Sequence, residues 1–217
     1  MNILAVDTAG KTLGVALLQD DRLKYECYLD GGMTHSETLM PLVDHCLKLC
    51  GLTCADIDLF GVNAGPGSFT GLRIGLAAVK GLAFPRETLC APVSTLEALA
   101  AAHTGGEGTV LCALDARRAQ VYSAAFDLAT HTRLLDDDAR AVADLAQFVE
   151  NCKKAPVFLL VMAHLCAIIN TAMFRACSLF RRSCGAAGPL PWHWWPNRWP
   201  SGAKLFYLRP CCRIITG

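Results

Sequence analysis

Two aspartates close short apolar runs in this chain, Asp7 in "LAVD" and Asp115 in "CALD". A carboxylate at the end of a buried strand, followed by a tight turn, is a place where an α/β protein can hold a metal–phosphate group. Asp7 leads into "TAGKT", whose Gly10 and Thr12 suit a close approach to phosphate. Asp115 leads into "ARRAQ", which offers Arg117 and Arg118 but no glycine. An arginine can bind phosphate directly, and it is equally an ordinary surface residue. A second candidate is "GPGSFTGLRIGLAAVKG", Gly65 to Gly81. It has neither the GxxxxGK[ST] spacing of a P-loop nor the GxGxxG of a dinucleotide site, because Thr70 stands where the third glycine belongs. Nor is Ser68 a nucleophile elbow, since Pro66 occupies the first glycine position of GxSxG.

The same stretch reads better as a helix. Ser68 is a good N-cap, and Phe69 to Ala83 are mostly helix formers. Gly67, Gly71 and Gly75 recur every four residues and lay bare a strip of backbone on nearly one face. Such a strip permits close packing against a partner, either inside the chain or on another subunit.

The elements around these residues follow from periodicity. "NILAVD", "GVALLQ" and "RLKYECYL" read as an antiparallel meander. In "THSETLMPLVDHCLKLC", Thr34 and Glu37 predict a capping box, and Leu39, Leu42, Val43, Cys46 and Leu47 share one face. "DIDLFGVN" is a fourth strand and "LCAPVS" a fifth, and Ser94 with Glu97 predicts the cap of a helix over "TLEALAAA". After "HTGGEG" the order begins again: "TVLCALDA", "QVYSAAFD" and "TRLLDD" as strands, "ADLAQFVENC" as a helix, "PVFLLV" as a strand. Both halves run strand, strand, strand, helix, strand. The expectation is a duplicated βββαβα unit, an actin-like, ribonuclease-H-like α/β fold with Asp7 and Asp115 at comparable strand ends. Its lobes are 1–103 and 104–161, the second incomplete.

Composition divides the chain at the same place. The 217 residues carry a formal charge of +1, but residues up to Glu150 hold eleven Lys and Arg against nineteen Asp and Glu, a net −8. Beyond them stand nine basic residues and no acid. "PLPWHWWPNRWP", Pro189 to Pro200, has no helical or strand period. The tail, 162–217, admits three readings. It could be a basic arm for nucleic acid, with Arg181, Arg182, Arg198 and Arg209 for phosphate and Trp192, Trp194, Trp195 and Trp199 for stacking. It could cross a membrane from Pro156 to Phe174, but His164 and Asn170 interrupt that stretch and basic residues flank it, so no membrane partner is expected. The third reading, a segment translated out of frame and never selected to fold, accounts for Trp, Cys, Arg and Pro without acids. The start "MNILAVDTAG" lacks a basic n-region, so a cytoplasmic protein is expected, with its twelve cysteines as free or buried thiols.

"NILAVDTA", "HSETLMPLVD", "GVNAGPGSFTGLRIGLAAVKGLA", "VSTLEALA" and "LDARRAQVY", in that order, resemble the TsaB (YeaZ) family of bacterial tRNA threonylcarbamoyladenosine biosynthesis proteins. The likeness covers about Met1 to Val161, and in the tail only "YLRP", Tyr207 to Pro210, is similar. The resemblance implies a non-catalytic subunit without cofactor or metal. Its partners would be a TsaD-like subunit that modifies adenosine 37 of tRNAs reading ANN codons, a TsaE-like ATPase, and tRNA through the complex. It also implies an interface, with TsaD or in a homodimer, built from helices Ser36 to Cys50 and Phe69 to Ala83. On this sequence those helices offer Ser36, Leu39, Val43, Gly67, Ser68, Thr70, Gly71, Arg73 and Gly75. Asp7 and Asp115 would be a vestige of a nucleotide site. His35 and His45 stand ten apart, unlike the metal-holding histidines four apart of TsaD relatives, and Cys46, Cys50 and Cys54 suit a core better than zinc. The other reading open to these residues is an actin-fold ATP-binding phosphotransferase or ATPase that uses Asp7 and Asp115.

Overall fold

The computed structural model describes residues 1–30, 34–102, 107–118, 120–151 and 157–162, with side chains to Val157. The three readings of the tail therefore lie outside the described residues. The first sheet holds β1 (Asn2–Asp7), β2 (Leu13–Gln19), β3 (Arg22–Leu29), β4 (Leu59–Gly65) and β5 (Leu89–Ser94), in the order β3-β2-β1-β4-β5. The second holds β6 (Thr109–Arg117), β7 (Gln120–Asp127), β8 (Arg133–Ala141) and β9 (Val157–Met162), in the order β8-β7-β6-β9. In each, the first strand is antiparallel to the second and parallel to the fourth. The repeated order read from the sequence is thus a repeated sheet topology.

Burial explains why β1 is apolar without alternation. It is the central strand, covered on both faces, as such a run requires. Leu4 and Val6 face a core shared with α1 (His35–Leu49) and α2 (Phe69–Ala83), where they meet Leu39, Val43, Cys46, Phe60 and Val79. Ala5 points the other way, paired across the ladder with Ala16.

That second face belongs to α3 (Thr95–Ala101), a short helix that buries Thr95, Leu96, Ala98, Leu99 and Ala100 and leaves Glu97 half-buried. It packs on β4 and β5 of one sheet and β6 and β7 of the other. Small residues make room for it: Ala5 and Ala16 in the first sheet, Cys112 paired with Ala124 in the second. Leu96, Leu99, Val110 and Phe126 fill the remaining space. α4 (Val142–Asn151) buries Leu145 against Leu111 and Ala125.

One of the expected caps differs in detail. Thr34 precedes α1 in extended conformation, but its side chain makes no cap hydrogen bond; the Thr38 hydroxyl donates to the Thr34 carbonyl at 3.1 Å instead. The Ser94 hydroxyl does accept the Glu97 N–H at 3.2 Å, while the Glu97 carboxylate pairs with Arg133 of β8 at 2.8 Å. Arg133 also pairs with Asp137 and lies over the Phe126 ring, and the Ser94 hydroxyl donates to Asp137 at 2.6 Å. These contacts tie β8 to the start of α3. A capping box that the sequence reading passed over forms between Thr53 and Asp56.

Leu96 is fully buried between the sheets. Leu96→Ala should cost about 2–5 kcal/mol in urea unfolding, whereas Met40→Ala, on an exposed position, should stay within about 0.5 kcal/mol.

Candidate partner interface

The turn after β1 is fixed by its own aspartate. Asp7 Oδ1 accepts the Ala9 N–H at 2.9 Å, a turn in which an Asp side chain stands in for backbone. Asp7 is buried, and burial raises its pKa above the usual carboxylate range, against the pull of the Ala9 N–H, the Asn63 side chain and His35. The Ala9 carbonyl in turn accepts the N–H of Ser68, the N-cap of α2, at 2.7 Å. His35, the first residue of α1, donates from Nε2 to the Gly10 carbonyl at 3.0 Å.

The glycine strip of α2 lies against this turn. A Cβ on Gly67 would stand 2.6 Å from the Ala9 carbonyl oxygen; one on Gly71 would meet the Thr8 carbonyl oxygen closer still, and one on Gly75 the Thr8 hydroxyl. Gly71 and Gly75 are buried. The strip therefore faces inward: the expectation that Gly71 and Gly75 contact another subunit is corrected, since both are buried against Thr8, while Gly67 is half-buried over Ala9 and its part in an interface is a proposal. Leu39 and Val43 are corrected likewise, since both are buried in the core beneath α1. An apolar stripe at helical spacing went where such stripes go, to the core.

The other expected interface residues are exposed. Ser36 lies on the outer side of α1, and Ser68, Thr70 and Arg73 at the start of α2. With them the structure exposes large apolar side chains that the sequence reading did not single out: Met40 and Leu49 on α1, and Phe69 and Phe84 at the two ends of α2. Phe69 is 69% accessible, and the Arg73 guanidinium lies 3.8 Å from its ring centroid. A Phe–Arg pair four apart on a helix was the available signal. An apolar residue in a helical run does not by itself say whether it faces core or solvent. Exposed aromatic and Arg side chains on adjoining helices are the chemistry of a protein contact.

Asp115 is unlike Asp7 despite the matching strand position. It is exposed and accepts the N–H of Arg117 at 2.7 Å. Arg117 and Arg118 turn the chain in left-handed conformation, with φ of 65° and 52°. Cys46 is held as a thiol by burial, its pKa pushed up to about 12, and burial raises Cys54 as well. Among the described residues, no group of three His, Cys, Asp or Glu side chains is arranged to hold a metal ion. No helix among them is long and apolar enough to cross a membrane.

The model of the family TsaD, tRNA N6-adenosine threonylcarbamoyltransferase, matches residues 31–159, more than half of the chain. The tRNA threonylcarbamoyladenosine biosynthesis protein TsaB of Bacillus subtilis is 42% identical over 57% of this chain and 54% of its own length. The TsaB of Escherichia coli is 38% identical over 58% and 55%. This chain is a TsaB (YeaZ) member of the TsaD family. Like its TsaB relatives' matched parts, it spans about half the length of those proteins. YeaZ from Pseudomonas aeruginosa superimposes with a TM-score of 0.57 at 33% identity, over 64% of this chain and 66% of that one. A protein described as similar to the peptidase YeaZ from the same organism gives 0.64 at 26% identity, over 85% and 93%. The actin-like, ribonuclease-H-like fold expected from the sequence is thus the fold of this TsaB-family chain.

The inward strip makes opposite predictions for two glycines of one helix. Gly71→Ala should lose about 1–3 kcal/mol in urea unfolding, because a backbone oxygen blocks the added methyl. Gly81→Ala, with open space around it, should gain up to about 1 kcal/mol. Asp7 supplies a pH test. Its raised pKa means the folded state binds the proton more tightly, so its contribution to stability is present at low pH. That contribution is lost as pH rises from the usual carboxylate range through its elevated value. Asp7→Asn should flatten this part of the stability–pH profile.

Proposed function

We propose that this TsaB-family chain is a non-catalytic scaffold in the assembly that installs threonylcarbamoyl on N6 of adenosine 37 in tRNAs reading ANN codons. It docks a TsaD-like catalytic subunit through the outer sides of α1 and α2, in the lobe formed by 1–103. A TsaE-like ATPase and tRNA join through that complex, in the cytoplasm, and the same surface serves a homodimer when the partner is absent. The observation that carries this reading is the exposed Phe69–Arg73 pair at the start of α2, with Met40 exposed on α1, large apolar and cationic side chains turned to solvent. The relatives' names supply the pathway.

The alternative, an ATP-binding phosphotransferase or ATPase acting through Asp7 and Asp115, has weaker support. One carboxylate is buried and engaged by its own turn, and the other is exposed beside a glycine-free hairpin. Adding a charge or removing the ring at position 69 leaves the core untouched, so it isolates docking. Phe69→Asp should weaken binding to a co-expressed TsaD-like protein about thirty-fold or more, the loss expected of an interface hot spot of ~2 kcal/mol. Val142→Asp, exposed on α4, should leave the affinity unchanged in the same titration. Equal affinity of both variants would refute docking through α2, and saturable micromolar binding of Mg-ATP by the isolated chain would favour the enzyme instead.

A further inference from the structure

Asp7 is left without a task in the scaffold reading, yet among the described residues it is the one carboxylate that is buried. Its Oδ1 accepts the Ala9 N–H at 2.9 Å, and the Asn63 side chain lies close enough to favour its charged form. What depends on that turn is unusual in extent. The Ala9 carbonyl holds the N–H of Ser68 at 2.7 Å, and Thr8 and Ala9 fill the hollow over Gly67, Gly71 and Gly75. Gly10 receives His35 at 3.0 Å. The beginnings of both helices that carry the exposed face are therefore pinned to four consecutive residues, Asp7 to Gly10.

We propose that Asp7 is a positioning residue for partner docking: by holding the turn at Ala9 it sets α1 and α2 relative to each other, a role that needs a hydrogen-bond acceptor and no negative charge. The inference rests on docking through α1 and α2. The hydrogen bond itself points away from an ionic role. The oxygen that accepts from Ala9 is matched by the side-chain oxygen of an asparagine in the same place, so the turn asks for an acceptor and not for a charge. A carboxylate that served as a ligand for a cation would lose its function on that exchange. The charged and titratable group facing Asp7 from the packed elements is His35 of α1; Asn63 of β4 and Ala9 of its own turn are neutral.

The test compares Asp7→Asn with Asp7→Ala in the full chain. It uses titration with a TsaD-like partner together with amide hydrogen exchange at Ala9 and Ser68. Asp7→Asn should bind within about twofold of the natural chain and keep both amides protected. Asp7→Ala should bind about tenfold more weakly, with exchange faster at Ala9 and Ser68 together, as expected when a charge-assisted or buried hydrogen bond is removed. Loss of binding in Asp7→Asn, or full binding in Asp7→Ala, would overturn the proposal. Should Asp7→Ala not fold, the Asn variant decides alone: retained affinity and protection uphold the strut, and loss of either refutes it. Failure of docking itself is seen separately, as absence of binding by the natural chain, and the amide protection then still reports whether Asp7 holds the turn.

Discussion

Close contact between one turn of backbone and one helix organises the first lobe. Thr8 and Ala9 lie where side chains of α2 would otherwise be, and only glycine at 67, 71 and 75 leaves them the space. Glycine inside a helix costs about 1 kcal/mol against alanine, so the contact must return more than that. It returns the hydrogen bond from Ser68 to Ala9 and the burial of Val79 and Ala83 against the sheet. The turn can serve as this seat because Asp7 fixes it locally and His35 closes it from the other side.

The arrangement separates the two sides of α2. Its inner side is committed to the fold, glycines included, and its outer side presents Phe69, Thr70 and Arg73. A surface held from beneath loses little conformational freedom when a partner arrives, which favours affinity by reducing the ordering cost of association. The glycines thus bear on docking indirectly: they place the helix, and the neighbouring side chains meet the partner. In the second lobe the corresponding hairpin has no such role among the described residues. Its aspartate is exposed, and two arginines in left-handed conformation make the turn.

The two sheets are joined through α3, and here too small residues are decisive. Ala5, Ala16, Cys112 and Ala124 let a helix lie close to both sheets, and Arg133 with Glu97, Asp137 and Ser94 fixes β8 at its end. The polar contacts are half-exposed and so contribute modestly; the apolar contacts of Leu96 and Leu99 carry more of the attachment.

The sequence by itself determined the elements and their order. Helix α2 and strands β5 and β7 have the bounds that apolar period and N-cap chemistry predict, because those signals are local. The duplication was legible too, since each unit repeats the same succession and the sheets repeat the same strand order. Three things were decided only in three dimensions. Which side of α2 touches its own chain depends on where the turn after β1 comes to rest, sixty residues away in sequence. Leu39 and Val43 look the same on paper whether they meet a core or a partner, and burial alone tells these apart. Asp7 ends β1 and Asp115 stands two residues before the end of β6, and the packing of distant segments buries the first carboxylate and leaves the second in water. A one-dimensional pattern specifies what each residue is able to do; the packing of distant segments specifies which of those capacities it keeps.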